Sequence, residues 1–275
     1  MIPGITASGG PLFWNPGRMA IPPSIWLDDS TAVTNVSGYA SLWASKGTAS
    51  GGYGQADSSR RPQIISTGLN GLRTLKHDGV DDYLGSGDTA LLNAFRARSS
   101  GWIFAVVRKQ AIDAGGENRN IVSNAPGNAA GGGRLTLGII GNKPYLYSER
   151  SDGAAGALLT STIDMGTDWR ILYVQANWSA ATAEIDIDGE TDVTSTSFGT
   201  TGTSSDTVAY YPAGIGAFVG SPPVVFADVE CAAILQCGNG LPSTDERDKL
   251  AGWAAWRYGL EGNLPVGHPY KSAPP

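Results

Sequence analysis

The chain is poor in the residues that staple, ligate and switch: 275 positions hold two cysteines, two histidines and three methionines. Cys231 and Cys237 are six residues apart, so on one strand their Cα atoms stand roughly 20 Å from each other, far beyond disulfide reach. They read as two buried thiols. Neither they nor His77 and His268 have the spacing of a zinc site. Basic residues form no run and the net charge is −6, which excludes a nucleic-acid or anionic-membrane partner that depends on a basic surface. No stretch approaches the roughly 18 to 20 apolar residues of a membrane span, and the first residues lack the basic and apolar regions of a signal peptide. A soluble protein made in a cytoplasm is the expectation. Gly131-Gly132-Gly133 precedes no Lys-Ser/Thr and no helix, no serine sits in a G-x-S-x-G elbow, and no internal repeat is visible.

What the chain has is glycine, at 38 residues, and proline, at 16, set among Ser and Thr so that short apolar runs alternate with turn clusters. That is the profile of an all-β protein. After a proline-broken arm (1–23) anchored by Phe13 and Trp14, strands are expected from Ile25 to Asp28 and from Tyr39 to Trp43. Leu72, Leu75, Val80 and Leu84 frame an Asp78-Gly79 turn. Trp102 to Val107 is a continuous apolar run suited to a central strand buried on both faces. Shorter strands follow at Ile121-Val122, Leu135 to Ile140 and Tyr145 to Tyr147. Trp169 to Asn177 and Ala181 to Ile187 make a pair closed by Asp188-Gly189, and Ile215 to Val219 and Val224 to Leu235 complete the set. The loops 48–59, 113–120, 125–133 and 194–206 are too short to separate domains.

One long helix is legible near the C-terminus. Ser243 is its N-cap and Glu246 stands three residues later, the spacing of a capping box, with Asp245, Glu246 and Asp248 at the positive end of the dipole. Leu250, Trp253, Trp256 and Leu260 form the expected apolar stripe. Gly259 or Gly262 ends the helix, Pro265 and Pro269 prevent its return, and Leu264, Val266 and Tyr270 tie down an extended tail. Three parts are therefore expected: the arm (1–23), the β-domain (24–241), and the helix with its tail (242–275).

Glu246, Arg247, Lys249, Leu250, Trp253, Ala254, Trp256, Gly259 and Leu260, followed by Leu264-Pro265 and His268-Pro269-Tyr270-Lys271, resemble the C-terminus of concanavalin A-like (laminin G-like) jelly-roll domains of bacteriophage virion proteins. Trp26-Leu27-Asp28 and the stretch from Asn70-Gly71 to Leu84 match other signatures of that group, with Lys76-His77 where an aromatic is more usual. The resemblance covers about residues 24 to 271. It implies an antiparallel jelly-roll β-sandwich with one C-terminal helix. It also implies a virion component of tail, fibre or capsid surface, homo-oligomeric on the particle, whose partners are other virion proteins and host cell-surface glycans.

Three kinds of site are candidates. Glu184, Asp186 and Asp188 alternate along a strand and so share a face; they resemble the E-x-D-x-E strand of laminarinase-type endoglucanases, which would make Glu184 the nucleophile, Asp186 its partner and Asp188 the general acid. Retaining glycosidases hold their carboxyls about 5 to 5.5 Å apart, whereas residues four apart on a flat strand are separated by about 13 Å. Asp188-Gly189 is moreover a favoured hairpin dipeptide. A solvated strand face and no catalysis is the expectation. Asp78, Asp81 and Asp82, and the pair Asp28 and Asp29, offer hard oxygen ligands for calcium, without EF-hand spacing; turn chemistry accounts for them equally, so no cofactor is assigned. Glycan binding needs exposed aromatic faces beside amides; Tyr53 with Gln55, Asn118 with Arg119 and Asn120, and Tyr210 with Tyr211 qualify, whereas Trp26, Trp43, Trp102, Trp169, Trp253 and Trp256 read as core.

Overall fold

A computed structural model describes residues 14–112, 117–124, 134–149, 156–206 and 211–275. Its strands are β1 (Ile25–Leu27), β2 (Val33–Val36), β3 (Tyr39–Ala44), β4 (Gly52–Gly54), β5 (Gln63–Leu69), β6 (Leu72–Lys76), β7 (Leu84–Ser86), β8 (Ser100–Lys109) and β9 (Asn118–Asn124). They continue with β10 (Leu135–Ile140), β11 (Lys143–Ser148), β12 (Ala157–Thr160), β13 (Arg170–Asn177), β14 (Thr182–Ile187), β15 (Glu190–Ser195), β16 (Ala213–Ile215) and β17 (Val229–Cys237). A single helical turn, α1 (Thr89–Leu92), precedes β8, and α2 (Thr244–Tyr258) follows β17. The all-β expectation and the C-terminal helix both hold, and the pairing is antiparallel throughout.

Two runs of strands share one hydrogen-bonded sheet. The first is β15-β14-β13-β8-β17, with β1 and β6 side by side on the far edge of β17. The second is β12-β11-β10-β9-β16-β7-β4-β3-β2. They meet where β5, partner of β6, pairs with β3 at Tyr39↔Gln63. Ile103, Ala105 and Val107 from the first run and Val122, Leu137, Leu146 and Ile215 from the second fill one apolar cluster. Two tight turns use left-handed residues that only Asn, Asp and Gly adopt readily: Asn70-Gly71 (φ 51° and 76°) joins β5 to β6, and Asp188-Gly189 (φ 55° and 83°) joins β14 to β15.

Strand β8 is buried on both faces, as its unbroken apolar run predicts. Its alternate residues Trp102, Phe104 and Val106 face a second cluster, with Ile171 and Tyr173 of β13, Leu235 and Cys237 of β17, and α2 above them. Cys231 and Cys237 are free and buried. Helix α2 starts as expected, with the reciprocal Ser243–Glu246 box, and stops at Gly259 in the left-handed region (φ 69°). Its buried face departs from the expected stripe. Leu250, Ala251, Trp253, Ala254, Ala255 and Tyr258 lie against the sheet, because small alanines let the helix sit close and carry the seam onward to Tyr258. Trp256 is only half-buried and turns to the tail, donating from Nε1 to the Tyr270 carbonyl (2.9 Å).

The tail is held by Leu264, 2 % exposed, while Val266 is 96 % exposed and anchors nothing. Lys271 contributes more than its charge suggests: its ammonium donates to the carbonyls of Glu261, Gly262 and Leu264. Phe13 lies outside the described residues. Trp14 donates its backbone N–H to the Pro275 carbonyl (3.2 Å) and Ala20 donates its own to Glu246 (2.7 Å), so this part of the chain packs beside α2.

Candidate functional site

A cleft of about 520 Å³ lies on the outer face of β9, β10, β11 and β12 and is walled by residues 218–225. That volume is in the usual range for small-ligand sites, roughly 300 to 1,000 Å³. Register builds it. Thr136 lies opposite Tyr147, which lies opposite Leu158; Asn120 lies opposite Gly138, which lies opposite Tyr145. A bulge between Leu137 and Gly138 leaves Ile121 as an extra residue on β9, and both Ile121 and Val122 enter the core. Asn118 and Asn120 thereby reach the outer face together.

Two glycines shape the aromatic floor. A side chain at Gly138 would meet the Tyr145 ring at 2.5 Å, and one at Gly156 would meet the Tyr147 ring and hydroxyl at about 2 Å, so the rings lie over bare backbone. Tyr145 donates its hydroxyl to Asn120 Oδ1 (2.5 Å), which leaves the Asn120 NH2 group to donate elsewhere. Asn120 is fixed further by its own N–H to the Val225 carbonyl (3.0 Å). On the far wall Tyr211 packs edge-on against Phe218, with centroids 5.6 Å apart at 71°. Leu158 and Val224 expose 54 % and 44 % of their surfaces at the rim. Burial raises the pKa of Tyr145 and Tyr147, the latter helped by the charge of Glu149, so both phenols remain protonated donors.

Of the sequence candidates for sugar contact, Asn118, Asn120 and Tyr211 come together here, and Tyr210 lies outside the described residues. Tyr53 and Gln55 do not join them. Tyr53 is fully buried in β4, where Gln236 donates to its hydroxyl (3.2 Å), and Gln55 is 8 % exposed, so neither presents a face to a ligand. Tyr145, Tyr147, Thr136, Leu158 and Phe218 were not singled out as contacts. The signal was present in the alternation Tyr145-Leu146-Tyr147, which puts both tyrosines opposite the core-facing Leu146.

The carboxylate strand β14 has a different environment. Glu184 and Asp186 lie under α2, where Arg247 donates to Glu184 (2.7 Å) and Asp186 (3.1 Å), and Thr191 bonds both. Burial raises the Glu184 pKa, but bonds from Arg247 and Thr191 outweigh it and leave it below the ordinary value. Burial, then the adjacent Glu184 charge, push Asp186 up to about 7. Asp188 sits in the turn, salt-bridged to Arg170 (2.8 Å) and accepting from Ile171 N (2.9 Å). A pocket of about 80 Å³ lies beside this strand, between β14 and α2, and the expected solvated face is in fact a covered ion-pair seat.

Asp78, Asp81 and Asp82 have carboxylate oxygens within 4.8 Å of one another. One Asp78 oxygen already accepts the N–H groups of Val80, Asp81 and Asp82, an Asx-type turn that fits the residues poorly to a six- to eight-oxygen calcium shell. Asp28 and Asp29 are likewise engaged: Asp28 with Lys46 (2.8 Å), Asp29 with Arg257 through two bonds of 2.8 Å.

Burial, then the Asp78 charge, lift the Asp82 pKa from 3.8 to about 7. Because the folded value is the higher one, its contribution to stability is complete below about pH 3.8 and lost as pH rises through about 7. Asp82→Asn should therefore gain thermal stability relative to the parent as pH rises from about 5 to about 8. Melting curves at the two pH values check this; a constant difference between the proteins would contradict it.

No known family model matches the sequence, and no curated protein does. Solved structures do share the fold. The binding domain of Paraclostridial Mosquitocidal Protein 1 superposes with TM-score 0.59 at 10 % identity, over 84 % of this chain and 52 % of that one. The Botulinum neurotoxin serotype D binding domain gives 0.55 at 8 % over 90 % and 52 %, and the type G receptor-binding domain 0.54 at 12 % over 83 % and 50 %. This chain thus spans about half the length of each, and at these identities the likeness establishes an all-β fold used by binding domains.

Proposed function

We propose that this chain is a non-catalytic, lectin-like module of concanavalin A-like jelly-roll type that binds a glycan in the β9–β12 cleft. The observation that carries the reading is the convergence there of Asn118, Asn120 and Thr136 with Tyr147, Tyr211 and Phe218. Amides and hydroxyls bond sugar hydroxyls, and aromatic faces cover the C–H face of a sugar ring. Use of a similar fold by toxin binding domains supports a binding role. The virion setting, with other virion subunits and host cell-surface glycans as partners and a homo-oligomer on the particle, rests on the motif resemblance around α2. Calcium is assigned no part.

A glycan array followed by calorimetric titration, with and without EDTA, tests the cleft. Asn118→Ala, at an exposed position, and Tyr211→Ala should each weaken the best array ligand about tenfold or more, equivalent to about 1.4 kcal/mol, while leaving the melting temperature near that of the parent. A panel with no ligand, or variants that bind as tightly as the parent, would remove the proposal. Affinity that vanishes in EDTA would return calcium to the site.

A further inference from the structure

Resting on that reading, we infer that the ligand of this cleft is an uncharged saccharide and that the site selects against sialylated, uronic and sulfated sugars. The polar side-chain groups of the described lining are neutral: the amides of Asn118 and Asn120 and the hydroxyls of Thr136, Tyr145, Tyr147, Tyr211 and Ser221. The remaining described lining is aromatic, aliphatic or glycine and proline.

The described cations near these residues in the chain are committed elsewhere, among them Arg134, which donates to the Ser205 and Leu92 carbonyls. Arg119 lies between Asn118 and Asn120, so strand alternation turns it to the other side. There it donates to the carbonyls of Gly79 and Phe226 and to the Glu117 carboxylate (2.7 Å). Lys143, two residues before Tyr145, donates to the Thr162 carbonyl (3.1 Å). Glu149 follows Tyr147 by two residues, buried just past the end of β11, and its charge helps to raise the Tyr147 pKa. An anionic sugar would give up hydration with no guanidinium or ammonium among the described lining residues to replace it, on a chain of net charge −6. A neutral ring loses nothing to that charge, and its C–H face matches the exposed Leu158 and Val224.

Matched pairs provide the test: neutral oligosaccharides such as lactose and maltotriose, found on the array, against 3′-sialyllactose, a galacturonic acid trimer and 6-sulfated counterparts of the neutral binders. The expected result is binding in the neutral class, at least tenfold weaker binding once an acidic group is added, and a dissociation constant that changes less than about twofold between about 0.01 and 1 M salt. Val224→Lys, at the exposed rim, should raise affinity for the acidic counterpart relative to its neutral parent sugar. Acidic sugars bound as well as or better than neutral ones by the unaltered protein would overturn this inference while leaving glycan binding intact. Absence of any bound saccharide would remove the glycan reading itself, and the selectivity with it.

Discussion

Trp253→Ala is expected to remove about 3 to 5 kcal/mol of unfolding free energy, a large share of the roughly 5 to 15 kcal/mol that holds a typical domain together. Trp253 is 8 % exposed and stands where three elements meet. Its ring is edge-on to Trp26 of β1 at 6.0 Å, tilted over Phe104 of β8 at 6.4 Å, and edge-on to Tyr258 of its own helix at 6.2 Å. Truncation empties that junction, and the neighbours cannot close over it: Trp26 is held by its Nε1 bond to Asp28 (2.8 Å), and the Tyr258 hydroxyl by Asp29 (3.1 Å). Trp256→Ala is the internal control. That ring is half-buried against the tail, and its removal should cost well under half as much. Urea titrations of the three proteins decide the matter; equal losses for the two tryptophans would mean that α2 is not seated by Trp253.

In the sequence the two tryptophans are indistinguishable, since both fall on the same helical stripe. What separates them is the run Ala251, Ala254 and Ala255, whose small side chains let the helix descend onto β8 and rotate the seam toward Tyr258. Periodicity reports which positions are apolar, and the partner surface chooses among them. Local signals were legible where local chemistry decides: the Ser243–Glu246 box, the Gly259 stop, the Asp188-Gly189 turn, the doubly buried β8. Tyr53 was misplaced because its flanking glycines and serines describe a loop, while pairing of β4 with β3 and β7 buries it. The cleft was half legible for the same reason. Asn118 and Asn120 are visible as polar residues at alternate positions, but their meeting with Leu158 and Phe218 depends on a bulge and on strands far apart in the chain.

Arg247→Ala should be nearly as damaging as Trp253→Ala, at about 3 to 5 kcal/mol, because removing one partner of a buried ion pair strands the others without counter-charge. Arg247 stands in the first turn of α2, where the helix dipole disfavours a cation; its place is explained by the two carboxylates beneath it. Glu184 and Asp186 are 15 % and 12 % exposed there, and the guanidinium also covers the Tyr173 ring at 5.7 Å. Without it, Asp186, already raised to about 7, takes up a proton more readily. A raised folded-state value means stability lost as pH rises through it, so the damage should be greater at about pH 8 than at about pH 5. Adding Glu184→Gln and Asp186→Asn to Arg247→Ala should recover most of the loss, since no buried charge then remains to be paired. The same substitutions separate a structural seat from an endoglucanase centre. In a seat, Glu184→Gln alone disturbs stability and leaves glycan affinity unchanged. Turnover of a β-glucan by the parent protein, abolished by Glu184→Gln at unchanged stability, would show instead that Arg247 withdraws from these carboxylates to let them react.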